Sequence, residues 1–347
     1  MSRVAVVTST APFAQGGHLV IAHCVVQALR EAGHRAELLL TPQNRFGRQV
    51  SAYLATWLTD VGLGQDGEPI DQVISFRYPS YAVRHPVHVC WLNHRMREYY
   101  DLWTRFSATL SLIDGAKERI RRAFLHAVDR YLLTHNVTRV YAQSRTIQAR
   151  LRRWGGVGAD VLYPPPPQRP YRCDGHGDFI FAVSRLTPLK RMDLLIRALA
   201  QPEAQAVRCV IAGDGPEAPA LAALVSELRL EGRVRLIGSA SPGVLVDQFA
   251  RCRAVCFPPR DEDYGFVTVE AFASRKPVVT CTDSGGPVEL VEDGVNGLVC
   301  PPEPRVLAAA LRWLMEDQGL AERMGEAGHA RVSAMSWRAA VEKLVLV

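Results

Sequence analysis

Glu262 and Glu270 stand eight positions apart in the stretch DEDYGFVTVEAFASRKPVV, with Gly265 between them. Carboxylates accept hydrogen bonds from vicinal hydroxyls, and a charged acceptor raises each to about 1.5–3 kcal/mol. If Phe266 opens a helix, the N–H groups of Phe266 and Val267 have no intrahelical partner and, with the helix dipole, form a site for an anion. Glu270 then falls in the first turns of that helix and Glu262 in the loop before it. The plainer alternative is that both acids only complement the helix N-terminus. Gly285-Gly286-Pro287 follows a short apolar run and marks another turn. The combination suits a ligand rich in hydroxyls that also carries negative charge.

Two further sets of residues have types suited to the same ligand. In SRLTPLK, Arg185 and Lys190 bracket a loop after the apolar run 179–183. An arginine fork and a lysine point charge there can clamp a diphosphate; taken alone, the loop reads equally as a solvated basic turn. Near the N-terminus, in Gln15-Gly16-Gly17, the adjacent glycines let the backbone approach a bulky group such as a phosphate, or else only make a tight turn. Neither this run nor Gly213-Asp214-Gly215 makes GxGxxG, which argues against a dinucleotide-binding dehydrogenase. Gly213-Asp214-Gly215 is read as a tight turn. His94 follows another apolar run, and alone it reads as a structural histidine, with His85 and His88 close by. The acid cluster Asp261-Glu262-Asp263 is in register with Glu270, which favours binding of hydroxyls over metal binding, so no metal site is expected.

Those residues need elements to position them. A β-branched run at 4–9, helical spacing over 19–32 closed by Gly33, and a second run at 35–41 predict a parallel βαβ unit. Strands at 72–75, 87–92 and 140–142 follow, with a long helix over about 117–133 and a helix capped by Ser144. Pro164 to Pro167 are four consecutive prolines, incompatible with a helix or a central strand. They predict a stiff linker and a domain boundary. A second series alternates strands at 179–183, 208–212, 234–237, 254–257 and 277–280 with helices, one of them over 266–274. In open α/β sheets ligands bind at the carboxyl ends of strands. All three candidate sets fall at such ends, which in two facing halves means the cleft between domains.

The 347 residues exceed one ordinary core, and 48% hydrophobic with 22% charged residues is ordinary for a soluble protein. A net charge of +6 suits an anionic partner without choosing among anionic ligand, lipid and nucleic acid. The eight scattered cysteines contain no CxxC pair, so buried free thiols and a cytoplasmic location are expected. No apolar run is long enough to span a membrane, and the N-terminus reads as a strand rather than a secretory signal. A band of arginines and lysines between Arg95 and Arg153, mixed with Trp91, Trp103, Phe106, Phe124 and Trp154, suits peripheral contact with an anionic membrane on its inner face, or else a solvated basic surface. No nucleic-acid motif is present.

In order along the chain, VSRLTPLKRMDLLI, VIAGDGP, VRLIG, PPRDEDYGFVTVEAFASRKPVV and GGPVELVEDGVNGLV resemble the C-terminal domain of retaining glycosyltransferases of the GT-B fold, family 4, the glycosyl transferases group 1. QGGHLVIAHCVVQALREAGHRAELL is similar to that family's first loop and helix. The resemblance implies an α/β GT-B architecture of two facing Rossmann-like domains with an interdomain cleft. It implies an acceptor domain over 1–163, a proline-rich linker over 164–173, a nucleotide-sugar domain over 174–330, and a last helix over 331–347 returning toward the first domain. It further implies that Arg185 and Lys190 hold the donor diphosphate, Glu270 the ribose hydroxyls and Glu262 the transferred sugar. Backbone at Gly265, Phe266 and Val267 would support phosphate and sugar. Gly16 and Gly17 would approach the diphosphate from the other domain, Ile237 and Gly238 would lie by the base, and His94 would face the reacting sugar. The expected reaction is metal-independent transfer, with retention, from a UDP- or GDP-linked hexose to a hydroxyl acceptor in polysaccharide, glycolipid or lipid-linked oligosaccharide assembly. No cofactor beyond that co-substrate is expected. A non-catalytic protein of the same fold, an epimerase and a phosphorylase remain alternatives. Ser184 departs from the glycine that often precedes the arginine in this family.

Overall fold

Runs of β-branched residues buried on both faces, separated by helix-length amphipathic stretches, form parallel sheets with helices on either side. The computed structural model describes residues 1–13, 16–43 and 47–347, and within them the chain divides into Met1–Pro164 with Ser336–Val347, and Pro165–Met335.

The first unit contains β1 (Arg3–Thr10), α1 (Gly17–Glu31), β2 (Arg35–Pro42), α2 (Gln49–Trp57), β3 (Gln72–Arg77), β4 (His88–His94), α3 (Trp103–Ser107), α4 (Leu112–Tyr131), β5 (Arg139–Ala142), α5 (Arg145–Arg153) and β6 (Asp160–Val161). The strands pair in parallel in the order β2-β1-β3-β4-β5-β6. Gly33, at φ 89°, closes α1: its N–H donates to the Arg30 carbonyl and that of His34 to the Leu29 carbonyl, both at 3.0 Å. This is the double bond of a Schellman cap. Ser144 caps α5 by accepting from the Ile147 N–H at 3.1 Å.

The second unit contains β7 (Phe179–Val183), α6 (Met192–Leu199), β8 (Arg208–Ala212), α7 (Ala218–Glu227), β9 (Val234–Leu236), α8 (Pro242–Arg251), β10 (Ala254–Cys256), α9 (Phe266–Ala273), β11 (Val278–Cys281), α10 (Gly286–Leu290), β12 (Gly297–Cys300), α11 (Pro304–Glu316) and α12 (Gln318–Ser333). Its parallel order is β12-β11-β10-β7-β8-β9. The chain winds outward from β7 through β8 to β9, then returns to the other side of β7 with β10. That reversal places the loops after β7 and after β10 side by side, the crevice where doubly wound sheets bind ligands.

The last helix, α13 (Trp337–Leu344), belongs to the first unit. Trp337 meets Trp91 edge-on at 6.2 Å, Gln72 donates to the Leu344 carbonyl at 2.6 Å, and Tyr141 donates to the Lys343 carbonyl at 3.1 Å. At its other end, the segment after the proline run is tied to the second unit, with the Asp174 N–H on the Ala250 carbonyl at 2.9 Å and that of Gly177 on Arg251 at 3.0 Å.

Helix α4 packs Leu125 and Val128 into the core and carries apolar residues on its outer face as well. Its inward face carries Asp129, whose buried carboxylate accepts from the hydroxyls of Tyr53, Tyr81 and Tyr100, the last two at 2.5 and 2.6 Å. Its outward face carries Leu112, Ile113, Ile120, Phe124 and Tyr131, with Leu112 95% exposed. Two residues placed in a surface band by the sequence are instead internal. Trp91 is fully buried and donates to the Leu162 carbonyl at 2.8 Å, and Arg95 is buried with its guanidinium on the Trp154 carbonyl at 2.7 Å. An indole at the centre of β4 has a strand on each side, so its apolar body fills the core.

Candidate functional site

In the second unit the candidate residues sit at the carboxyl ends of the strands. Lys190 closes the loop after β7 and Glu262 lies in the loop after β10; their side chains, both half-buried, form an ion pair from Nζ to Oε2. The Lys190 ammonium also lies 5.5 Å from the centre of the Phe257 ring. Sequence placed a cation and an acid in two separate loops; the strand order joins them at the reversal point.

Arg191, next to Lys190, fixes that junction. Its guanidinium donates to both carboxylate oxygens of Asp283, at 2.7 and 2.9 Å, and to the carbonyls of Pro258 and Pro259, at 2.8 and 2.7 Å. One buried arginine thus ties the loops after β7, β10 and β11 together, a geometry lysine does not reproduce. Sequence reasoning passed over it. A cation at the start of a helix, against the dipole, was the available signal.

Backbone approach sets the position of Glu262. Its N–H donates to the Ser284 carbonyl and its carbonyl accepts from the Gly286 N–H, each at 2.9 Å. A Cβ on Gly285, at φ 74°, would stand 2.6 Å from the Glu262 oxygen, and one on Gly286 would stand 2.5 Å from the Tyr264 Cα. Only glycine fits either place. Gly213-Asp214-Gly215 is the tight turn read from the sequence, and it serves as a brace. Gly213 presses on the Ser184 carbonyl, where a Cβ would come within 1.8 Å, and the Asp214 carbonyl accepts from the Leu186 N–H at 2.8 Å. This holds the loop bearing Arg185, which stands exposed at the end of β7. Gly238 follows β9 at the edge of the sheet and accepts from the Gly213 N–H at 2.8 Å; Ile237, half-buried, donates to the Ile211 carbonyl at 2.9 Å.

Gly265, at φ 86°, is the N-cap of α9 and offers no side-chain cap. The N–H groups of Phe266 and Val267 carry no protein hydrogen bond among the described residues. They are donors with the helix dipole behind them. Glu270 lies one turn further along, 7% exposed, with Oε1 accepting from Arg169 Nη1 at 2.6 Å and from the Tyr171 hydroxyl at 2.8 Å. Burial pushes its carboxyl upward, and the Arg169 charge and Tyr171 hydrogen bond pull it back. Neither Arg169 nor Tyr171 stood out in the sequence, because they follow the prolines and lie about a hundred positions from their partner.

The remaining candidates lie in the first unit. Gly16 is the N-cap of α1, half-buried and again without a side-chain cap; Gly17, exposed, begins the helix. Gln15 lies outside the described residues. His94 ends β4, and its Nδ1 donates to the Arg95 carbonyl at 2.7 Å, which selects the tautomer carrying the proton there. It lines, with Arg97, Asp101 and Arg150, a cavity of about 20 Å³, room for one water. Among the described residues no group of three or more His, Cys, Asp and Glu side chains is placed to hold a metal ion.

Comparisons with known proteins bear on this geometry. The model of the family "Glycosyl transferases group 1" matches residues 169–331, nearly the whole second unit. The chain is 28% identical over 268 residues to the alpha-D-kanosaminyltransferase of Streptomyces kanamyceticus, covering 73% of this chain and 64% of that protein. It is 33% identical over 210 residues to the D-inositol 3-phosphate glycosyltransferase of Kineococcus radiotolerans, covering 54% and 48%. The chain therefore spans less than two thirds of the length of these curated relatives. Among solved structures, HepE of Anabaena in complex with UDP and glucose is 20% identical with a TM-score of 0.71, covering 98% of this chain and 97% of that one. Sucrose-phosphate synthase from Thermosynechococcus elongatus is 18% identical with a TM-score of 0.76, over the same shares. These likenesses show the GT-B fold expected from the sequence.

Proposed function

We propose, from the premise that the chain belongs to the glycosyl transferases group 1 through its second unit, that it transfers a glycosyl group from a nucleoside diphosphate sugar to a hydroxyl acceptor. One observation carries this reading: at the strand-reversal point of the second unit, the Lys190–Glu262 pair stands before the uncapped N-terminus of α9. A cation and free amides suit a diphosphate, and the adjacent carboxylate suits sugar hydroxyls.

In this reading, without donor, Lys190 and Glu262 neutralise each other. Donor entry exchanges that pairing: Lys190 and Arg185 turn to the diphosphate, the Phe266 and Val267 amides add hydrogen bonds, and Glu262 takes hydroxyls of the transferred sugar. Glu270 receives the ribose hydroxyls, and Ile237 and Gly238 lie by the base. As the bond from the anomeric carbon to the phosphate oxygen breaks, negative charge grows on the leaving diphosphate, where these groups lower its energy most. The acceptor oxygen attacks on the same face, its proton passes to the leaving phosphate oxygen, and the anomeric configuration is retained. Protein cations supply the charge that a metal supplies elsewhere. The second unit holds the donor, UDP- or GDP-linked, and the first unit the acceptor.

The exposed apolar and basic face of α4 is proposed to rest on an anionic membrane, which suits a lipid-linked or surface-polymer acceptor. Among the described residues no helix is long and apolar enough to cross a membrane.

A thermal-shift screen with UDP, GDP, ADP and their sugars tests the donor assignment, because a ligand that binds the native state raises the melting temperature. A rise with at least one nucleotide, with turnover unaffected by a chelator, is expected. No shift with any of them overturns the reading.

A further inference from the structure

Glu270 poses a problem that its place on α9 does not explain. A carboxylate 7% exposed must be compensated or it takes up a proton. Its compensation comes from outside the helix. Arg169 and Tyr171 both bind Oε1, at 2.6 and 2.8 Å, whereas Oε2 carries no hydrogen bond among the described residues and is not sealed from solvent. The two oxygens are therefore unlike: one is held by the protein, the other is left to accept.

The segment that delivers these donors is pre-shaped. The Arg169 N–H donates to the Pro167 carbonyl and the Tyr171 N–H to the Arg169 carbonyl, each at 2.8 Å. These are consecutive three-residue turns directly after the proline run. Prolines restrict the chain before the first turn, so little freedom is lost when the guanidinium reaches Oε1.

We infer that Arg169 and Tyr171 are positioning residues that fix Oε1 of Glu270, so that an ionised Oε2 is presented to the vicinal hydroxyls of a ribonucleotide. This rests on the reading of Glu270 as the ribose ligand. It gives the proline-rich segment a part in discriminating ribose from 2′-deoxyribose, beyond joining two units. Among the described residues, Arg169 and Tyr171 are the charged and titratable groups that act on Glu270. Losing Arg169 removes the positive charge that opposes burial, so the carboxyl protonates more readily. A protonated carboxyl is a weaker acceptor, and the defect is deepest at low pH and relieved as pH rises.

Calorimetric titration of the full chain with UDP, GDP and ADP, and with the 2′-deoxy form of whichever binds, tests this. The ratio of the two affinities cancels the titration of the shared diphosphate. The wild-type chain is expected to prefer the ribonucleotide roughly tenfold, near-constant from pH 6 to 8.5, as one charge-assisted hydrogen bond provides. Arg169→Met is expected to lose the preference at pH 6 and recover part of it at pH 8.5; Arg169→Lys restores it, and Tyr171→Phe loses it partly, more at pH 6 than at pH 8.5. An equal loss of affinity for both nucleotides in Arg169→Met, independent of pH, overturns the inference. If Glu270→Gln keeps the full preference, the ribose assignment itself fails, and if the wild-type chain binds no nucleotide the proposed function fails with it. Should Arg169→Met not fold, Tyr171→Phe, which deletes one hydroxyl, carries the same comparison.

Discussion

The two units solve opposite problems with polar groups. In the second, the candidate groups stand at the carboxyl ends of strands, Lys190 on Glu262 with bare amides at the start of α9, over a buried brace of Arg191 on Asp283. Glycines with no room for a Cβ set the backbone around them. In the first, charges are sealed inside. Asp129 is wrapped by three tyrosine hydroxyls, Arg95 lies under the Tyr100 ring at 3.9 Å, and His88 bridges the Ser75 hydroxyl and the Asn136 carbonyl. Apolar residues also stand exposed on the outer face of α4. An open, braced arrangement is built to exchange partners; a closed network is built to keep them.

The largest test of that difference is on turnover. Glu262→Ala removes a group proposed to act on the transferred sugar, and transfer is expected to fall about 10² to 10³-fold, as when one transition-state contact is removed elsewhere. Binding of the bare nucleotide and the melting temperature stay close to wild type, because Glu262 is half-buried and its backbone bonds remain. Asp129→Ala in the first unit is expected to do the reverse. Three tyrosine hydroxyls lose their acceptor, each costing about 1–3 kcal/mol when buried unpaired. The melting temperature falls by about ten degrees or more, while the folded fraction still binds nucleotide. Loss of nucleotide affinity in Asp129→Ala, at matched folded fraction, would break the comparison.

The same contrast explains what could be read in the sequence. The breaks at Gly265 and Gly285-Gly286 were legible because each is demanded locally, by a helix start or a close approach. The strand series was legible from β-branched runs. Arg169 and Tyr171 were not, since their meaning lies in a partner about a hundred residues away, and the same holds for Asp129 and its tyrosines. Helix α2 escaped notice because its N-cap residue, Arg48, supplies no side-chain cap. Helix α4 was expected to start near Lys117, yet Ser111 caps it at Leu112 by accepting from the Asp114 N–H at 3.2 Å; Gly115 in the first turn disguised the start. Strand β12 is only four residues between two turns, and nothing in GLVC distinguishes it from a loop.

A smaller effect follows from acid. Burial holds the His88 imidazole down at about 4, against about 6.5 in the unfolded chain. In the native state it stays neutral down to the lower value, whereas the unfolded chain takes up the proton below about 6.5. Its contribution is therefore complete above the upper value and is lost progressively as pH falls toward about 4. Chemical denaturation between pH 7 and pH 4.5 is expected to show the first unit weakening with a slope approaching one proton, and His88→Gln to flatten that slope. A slope unchanged in His88→Gln assigns the acid sensitivity to other groups.

The smallest expected effect on stability carries the sharpest statement about the outer face. Ile113 and Ile120 are 71 and 74% exposed, seven positions apart on α4, with Lys117, Arg119 and Arg130 also exposed on the helix. Ile113→Glu with Ile120→Glu removes almost no core contact, so stability should change by less than about 1 kcal/mol. If the face rests on lipid, the wild-type chain floats with vesicles containing phosphatidylglycerol and the double variant does not, since each basic residue contributes about 1 kcal/mol only near an anionic surface and the apolar side chains add burial to it. Neutral phosphatidylcholine vesicles should retain neither. If light scattering instead shows a dimer that the same variant dissociates, with no flotation of the wild-type chain, the partner of α4 is a second copy. The helix would then belong to assembly, with burial of its exposed apolar residues outweighing the repulsion between two basic ridges.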